Sequence, residues 1–145
     1  MSDLLKATMA LMDFTRIRVL NLLLERECCV CEVMQSLDIT QSKASHNLSI
    51  LYQVGFLKLM ENDLWSLYSV DREGKYFDHM IKVVKKAQED NKVLVSDIER
   101  LKGAKRIGVE KVQKLASQGC GFCAVCKPDC PQYKLRAEIE QGERK

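Results

Sequence analysis

Apolar residues recur on two periods along this chain, and the change of period divides it. Up to about Leu51 they return every three to four residues, the repeat of an amphipathic helix. Leu4, Leu5, Met9 and Met12 predict a first helix, with Ser2 placed to cap it. Asp13 caps a second helix over residues 15–26, with Ile17, Leu20, Leu23 and Leu24 as its apolar stripe. Val33, Met34 and Leu37 predict a short third helix, and Asp38-Ile39-Thr40 a tight turn. Thr40 then caps a fourth helix over residues 41–53, whose stripe is Ala44, Leu48 and Leu51. Gly55 stands where a helix C-terminal glycine belongs. Beyond it the pattern becomes β-like. Residues 56–60 and 64–70 read as strands, the second rich in Trp65, Leu67, Tyr68 and Val70, and Glu61-Asn62-Asp63 has turn chemistry.

A short helix, a turn, a helix and then a hairpin is the order of a winged helix-turn-helix. A long helical segment follows from Tyr76. In a heptad register its a positions are Phe77, Val84, Asn91 and Ile98, and its d positions are Met80, Ala87, Leu94 and Leu101. Asn91 at an a position is the type of residue that fixes register in a two-stranded helix pair. This predicts one dimerisation helix to about Leu101, a break over residues 103–108, and a further helix to about Gln118. The same stripe also fits an amphipathic helix packed on its own domain. The expected fold class is mainly α with a small β-hairpin, dimeric through terminal helices. The expected division is a DNA-binding unit over residues 1–72, helices over 73–118 and a cysteine-rich tail over 119–145.

Composition narrows the class. The 145 residues are 46% hydrophobic and 30% charged, ordinary for a globular chain, with two prolines and seven glycines. No apolar run approaches the roughly 18 residues of a membrane span, and the start lacks the layout of a signal peptide, so a cytoplasmic protein without membrane partners is expected. The net charge is +3, but residues 1–72 carry −2 and residues 73–145 carry +5. A nucleic-acid role for the first half must therefore rest on a local patch. Gln41, Ser42, Lys43, Ser45, His46 and Asn47, at the start of the fourth helix, supply one. Short polar and basic side chains there suit the DNA major groove, and Gln and Lys have base or phosphate partners. The same set also describes a solvated helix face; the tri-helical order and the hairpin favour DNA. The predicted hairpin tip is acidic, with Lys58 its one nearby cation.

The seven cysteines fall into two groups separated by 88 residues. Cys28, Cys29 and Cys31 precede the third helix. Cys120, Cys123, Cys126 and Cys130 form C-x2-C-x2-C-x3-C-P near the end. Clustered cysteines in a reducing compartment point to soft-metal binding or redox chemistry. The second run matches iron–sulfur spacing, but a zinc site of four thiolates and an As(III) site compete for it. No Ser/His/Asp, Walker or dinucleotide pattern occurs, and no enzyme is expected.

Several of these motifs stand in one family's order. Asp13-Phe14-Thr15-Arg16-Ile17-Arg18-Val19-Leu20, Cys29-Val30-Cys31-Glu32-Val33 and Gln41-Ser42-Lys43-Ala44-Ser45-His46-Asn47-Leu48 resemble the ArsR/SmtB metalloregulators. Leu51, Gly55-Phe56-Leu57 and residues 65–68 continue the likeness, and Asp97 and Leu101 fit the family's terminal helix. The resemblance implies a homodimeric winged-helix repressor that leaves double-stranded operator DNA when an effector binds. The Cys29-Val30-Cys31 pair matches the arsenic-responsive branch and implies As(III) or Sb(III) as effector. The branch's usual third cysteine is replaced by Met34, so Cys28 is the expected third thiolate, with a tail cysteine as competitor. Soft thiolates select soft centres. Cysteines at i and i+2 lie on different faces of an ideal helix, so joint ligation is expected to distort the helix start and reach the recognition unit. The zinc branch uses Asp and His on the last helix. Asp78 and His79 fit that pattern, but the other histidine, His46, lies in the recognition helix. The alternative function is a thiol redox, iron–sulfur or zinc-dependent sensor on the same scaffold.

Overall fold

A computed structural model describes residues 3–61 and 65–117. Ser2, the Asn62-Asp63 part of the predicted turn, and the tail cysteines Cys120, Cys123, Cys126 and Cys130 lie outside the described residues. Helix α1 spans Asp3–Ala10. Asp13 then accepts a hydrogen bond from the Thr15 amide at 2.8 Å and starts α2, Phe14–Glu25. Helix α3, Val30–Leu37, ends at Asp38 in the left-handed conformation, φ 54°. Thr40 accepts from the Lys43 amide at 3.2 Å and starts α4, Gln41–Gln53. Gly55, at φ 91°, takes a turn that a side chain would strain and leads into the hairpin. Strands β1, Leu57–Glu61, and β2, Ser66–Val70, run antiparallel with Leu57 opposite Val70 and Glu61 opposite Ser66. The architecture is the expected winged helix-turn-helix, mainly helical with one hairpin.

Helix α2 is the centre of the core. Val19, Leu20, Leu22 and Leu23 are buried, and α2 packs against α3, α4 and β2. The predicted α4 stripe, Ala44, Leu48 and Leu51, is fully buried. Burying a leucine contributes roughly 1.5–3 kcal/mol, so this stripe fixes α4 on the core while its other face stays open.

Two expectations fail. The apolar set of α1 points outward: Leu4, Leu5, Met9 and Met12 are exposed, and Ala7 and Ala10 make the contact with the core. Small residues let the helix approach closely, and the larger ones are left at the surface. The long heptad helix is also two helices, α5 (Phe77–Asp90) and α6 (Lys92–Gly103). Asn91 is exposed and extended at the break, φ −135° and ψ 114°, not buried in a register-setting position. Met80, Val84, Leu94 and Leu101 turn into the chain's own core.

The break has a cause in α2. Asn21 is fully buried, donates to the Leu94 carbonyl at 2.9 Å and accepts from Gln88. One side chain thus holds both sides of the break. Three residues after Leu94, Asp97 is buried and gripped by Arg18 with two bonds of 2.8 Å. Arg18 is thereby held further above its ordinary pKa, chiefly by that hydrogen bond. After Gly103 the chain runs back over α3 and forms α7, Val109–Ser117. Among the described residues no helix is long and apolar enough to cross a membrane.

Candidate functional site

The three N-terminal cysteines sit where α2 hands over to α3, and all three are buried. Their backbone places them differently. Cys28 is strand-like: its N–H donates to the Tyr68 carbonyl at 3.0 Å, and its carbonyl accepts from the Tyr68 N–H at 2.8 Å. It adds one rung to the hairpin, and its sulfur lies 3.5 Å from the Arg26 carbonyl. Burial, then the Glu32 charge, pushes the Cys28 thiol up to about 12. Cys29 is the N-cap of α3 in extended conformation, and Cys31 is inside the first turn. Their sulfurs are in contact at 2.6 Å.

This overturns the expected strain. The i, i+2 argument applies within a helix, but Cys29 precedes it and its side chain is free to turn toward Cys31. Joint ligation of this pair need not unwind α3. The hydrogen bond between the sulfurs splits their acidities. Cys29 is pushed well above its ordinary value, by that bond and then by burial. Cys31 is held below it, first by Cys29 and further by the amides of Gly108 and Ile107, against the cost of burial. Of the two sulfurs Cys31 is the more readily ionised, and the thiolate is the form that binds soft metals and attacks electrophiles.

A buried carboxylate organises the surroundings. Glu32 is 2% exposed. It accepts from the Cys29 amide at 3.1 Å, from Arg106 Nε at 2.7 Å and from Arg26 Nη1. Burial alone would raise its pKa, but Arg106 and Arg26 outweigh it and hold the carboxyl below its usual range. Gln35 clamps the same returning segment: its Nε2 donates to the Lys105 carbonyl at 2.6 Å, and its Oε1 accepts from the Lys105 amide at 3.1 Å. The Lys105 carbonyl is also 3.8 Å from the Cys31 sulfur. Segment 104–108 therefore roofs the thiol pair. Sequence reasoning missed Glu32, Gln35 and Arg106. A Glu three residues after an N-cap is the one local sign of the first, and the others depend on a contact across some 70 residues.

Helix α7 continues from that roof along α3. Val112 is buried, and Gln113 Nε2 lies 3.5 Å from Gln41 Oε1 at the first residue of α4. A groove of about 270 Å³ between them is lined by Met34, Ile39, Thr40, Gln41 and Val112. On α4, Gln41, Ser42, Lys43 and His46 are exposed and Ser45 half-buried, forming one open face. Asn47 leaves that set: it is 5% exposed and donates to the Lys43 carbonyl at 2.9 Å, so it belongs to the packed side. Lys58 is exposed on β1 and pairs loosely with Asp71 at 3.7 Å. Asp78 and His79 are exposed on α5. Among the described residues no three Cys, His, Asp or Glu side chains converge as a metal set. The structure joins Cys29 to Cys31 and sets the Cys28 sulfur against the Arg26 carbonyl.

The helix-turn-helix with its packed core and open α4 face falls within the part of the chain that matches a known family. Residues 13–58 match the model of bacterial regulatory proteins of the arsR family. A cadmium resistance transcriptional regulatory protein, a CadC homolog of Staphylococcus aureus, is 35% identical over 86 residues, covering 59% of this chain and 67% of that protein. The chain belongs to the arsR family. An arsenical resistance operon repressor of Bacillus subtilis (strain 168) is 32% identical over 65 residues, 44% of this chain and 62% of that protein. As an arsR-family member the chain is a DNA-binding transcriptional regulator of the metal-responsive repressor class. Within that family's fold, the thiol pair lies at the foot of the helix-turn-helix, and α7 lies at its recognition end.

Proposed function

We propose that this arsR-family regulator is an As(III)- and Sb(III)-responsive repressor whose effector binds the Cys29 and Cys31 thiolates. One observation carries the reading. Two sulfurs are held in contact at the N-terminus of α3, directly ahead of the recognition unit, and Cys31 is held below its ordinary pKa. Thiolate pairs select soft, thiophilic centres. The relatives support the same chemistry, since their names connect one to cadmium resistance and one to arsenical resistance. Residues 1–72 then form the DNA-binding unit, with Gln41, Ser42, Lys43, Ser45 and His46 facing the operator major groove. Residues 73–118 support it, and residues 119–145 are a thiol tail that takes zinc, an iron–sulfur cluster or As(III).

The protein works as a cytoplasmic homodimer in this reading. The heptad stripe is used inside the chain, so the dimer face is formed by what remains exposed, Leu4 and Met9 of α1, Met12 just after it and Val83 of α5. Release follows from differential binding: As(III) weakens DNA binding, and DNA weakens As(III) binding by the same factor. Taking operator occupancy from about 99% to about 1% needs a differential of roughly 5.5 kcal/mol.

The test is fluorescence anisotropy on the protein's own upstream DNA, titrated with arsenite under reducing conditions, with Cd(II) in parallel. Arsenite should release the wild type and leave C29S/C31S bound. A wild type that ignores arsenite and answers Cd(II) would replace the effector. The sulfur contact also favours a second reading, a Cys29–Cys31 redox switch. That reading predicts release by peroxide in the absence of any metalloid.

A further inference from the structure

We propose that segment 104–108 is a hinged lid over the Cys29–Cys31 pair, which lifts to admit the metalloid and in lifting undocks α7 from the start of α4. This regulation rests on the As(III) reading and gives it a route from the thiols to the DNA-facing helix.

The pair is closed as it stands. Cys29 is 3% exposed and Cys31 1%, so a solute has no path to either sulfur. The sulfurs are also too close to share a centre. They touch at 2.6 Å, whereas bonds of about 2.3 Å to one centre set two sulfurs more than about 3 Å apart. Binding therefore needs an opening and a sulfur that shifts. What lies over Cys31 is the returning segment. The Lys105 carbonyl is 3.8 Å from the sulfur, and the Ile107 and Gly108 amides bond to it. Two As–O bonds of As(OH)3 give way to two As–S bonds, and two thiol protons leave with the hydroxides as two waters. Lone pairs given to arsenic are lost to the two amides.

The segment can move as a unit. It lies between Gly103 and Gly108, where an added Cβ would meet nothing within 4 Å, and Gly108 at φ 90° turns the chain into α7. Its hold on α3 is polar: Gln35 bonds the Lys105 carbonyl and amide, and Arg106 bonds Glu32. The Arg106 side chain is 36% exposed, so water competes for that bond.

The hold of α7 on the recognition unit is lighter. Among its described side chains only Val112 is buried, and a groove is left between it and Met34, Ile39 and Thr40. Gln113 reaches Gln41 at 3.5 Å. With the lid down, α7 covers the turn that sets the start of α4. With the lid up, that turn and Gln41 lose their cover. DNA selects the closed state and arsenite the open one, so the two compete without sharing an atom. Where the closed state predominates, opening lowers the apparent affinity for arsenite in full and that for DNA hardly at all. Loosening the lid should therefore sensitise the protein to arsenite and spare its operator binding.

Three measurements on the full chain test this. In anisotropy on its own upstream DNA, Arg106→Ala should need about tenfold less arsenite for half-release, with operator affinity before arsenite within about threefold of wild type. Val112→Ala, on α7 and away from the thiols, should need about fivefold less. A cation that merely favoured thiolates would act the other way, and its loss would raise the arsenite required. Without arsenic, iodoacetamide should alkylate Cys31 about tenfold faster in Arg106→Ala, read by tandem mass spectrometry. By hydrogen exchange, arsenite should deprotect residues 104–114 in the wild type and leave them unchanged in C29S/C31S. An unchanged alkylation rate, or an arsenite requirement that stays the same or rises in either variant, overturns the lid. So does release of DNA with 104–114 still protected, or deprotection that persists in C29S/C31S. Each of these leaves the As(III) reading to its own test. A wild type that arsenite does not release from DNA rejects both.

Discussion

Replacing Glu32 by glutamine isolates the group that ties the thiol pair to the roof above it. The carboxylate is 2% exposed and accepts from Arg106, Arg26 and the Cys29 amide. Glutamine keeps the shape but offers one acceptor atom and a donor. The oxygen retains the Arg106 or Cys29 contact, and the amide group then faces the Arg26 guanidinium, donor against donor. A hydrogen bond to a charged group contributes roughly 1.5–3 kcal/mol. The side chains of Arg26 and Arg106 are 38% and 36% exposed, so each can turn to water and recover part of that loss. We therefore expect Glu32→Gln to cost about 3 kcal/mol at pH 7, read from urea unfolding with unchanged slope. The sign with pH follows from the depressed carboxyl. Its stabilisation is fully present above the ordinary value of 4.5 and is lost as pH falls through the lower folded value. The gap between wild type and variant should hold from pH 7 to pH 5 and close below pH 4.5. A cost under about 1 kcal/mol at pH 7, or a gap independent of pH, would refute the view that Glu32 holds this junction together.

Other outcomes follow from the same geometry. Asp97→Ala leaves Arg18 without its fork and should cost about 3 kcal/mol, whereas Arg18→Met with Asp97→Leu should recover most of it; a double-mutant unfolding cycle decides. Cys28, pushed up to about 12 from 9.0, keeps its proton in the folded state while the unfolded chain loses it. Stability should therefore fall above pH 9 by up to about 1.4 kcal/mol per pH unit, and Cys28→Ala should flatten that decline in thermal melts. Lys43→Ala should weaken operator binding and lower the salt slope by about 1, measured by anisotropy across salt concentrations. Asn47→Ala should instead cost about 1 kcal/mol of stability and leave the salt slope unchanged, because its amide bonds the Lys43 carbonyl.

The helices of the DNA-binding unit were legible because their signals are local. Asp13 and Thr40 cap where the sequence places them, Gly55 turns where a glycine is needed, and the Ala44, Leu48 and Leu51 stripe is buried. The heptad in residues 77–101 misled for a physical reason. A period reports that one face is apolar and says nothing of which surface covers it. Here Asn21, far away in sequence, bonds Leu94 and Gln88 and holds the segment as two helices against the chain's own core. The α1 stripe failed in the same way, since Ala7 and Ala10 allow an approach that the larger residues do not.

The thiol site divides along the same line. The sequence by itself determined which atoms are available: soft sulfurs at 28, 29 and 31, a recognition-helix face from Gln41 to His46, and family membership carried by their order. Only the tertiary structure decided which of those sulfurs meet. Cys28 is drawn to Tyr68 by strand pairing, and Cys29 sits just outside α3, where it is free to turn onto Cys31. The further lowering of Cys31 by the Gly108 and Ile107 amides, the Arg106 bond to Glu32 and the roof of Lys105 on Gln35 arise from contacts between segments some 70 residues apart. Local patterns encode hydrogen-bonding periods and caps. The field at a buried sulfur is the sum over whatever the fold brings beside it, and that sum exists only once the chain has closed.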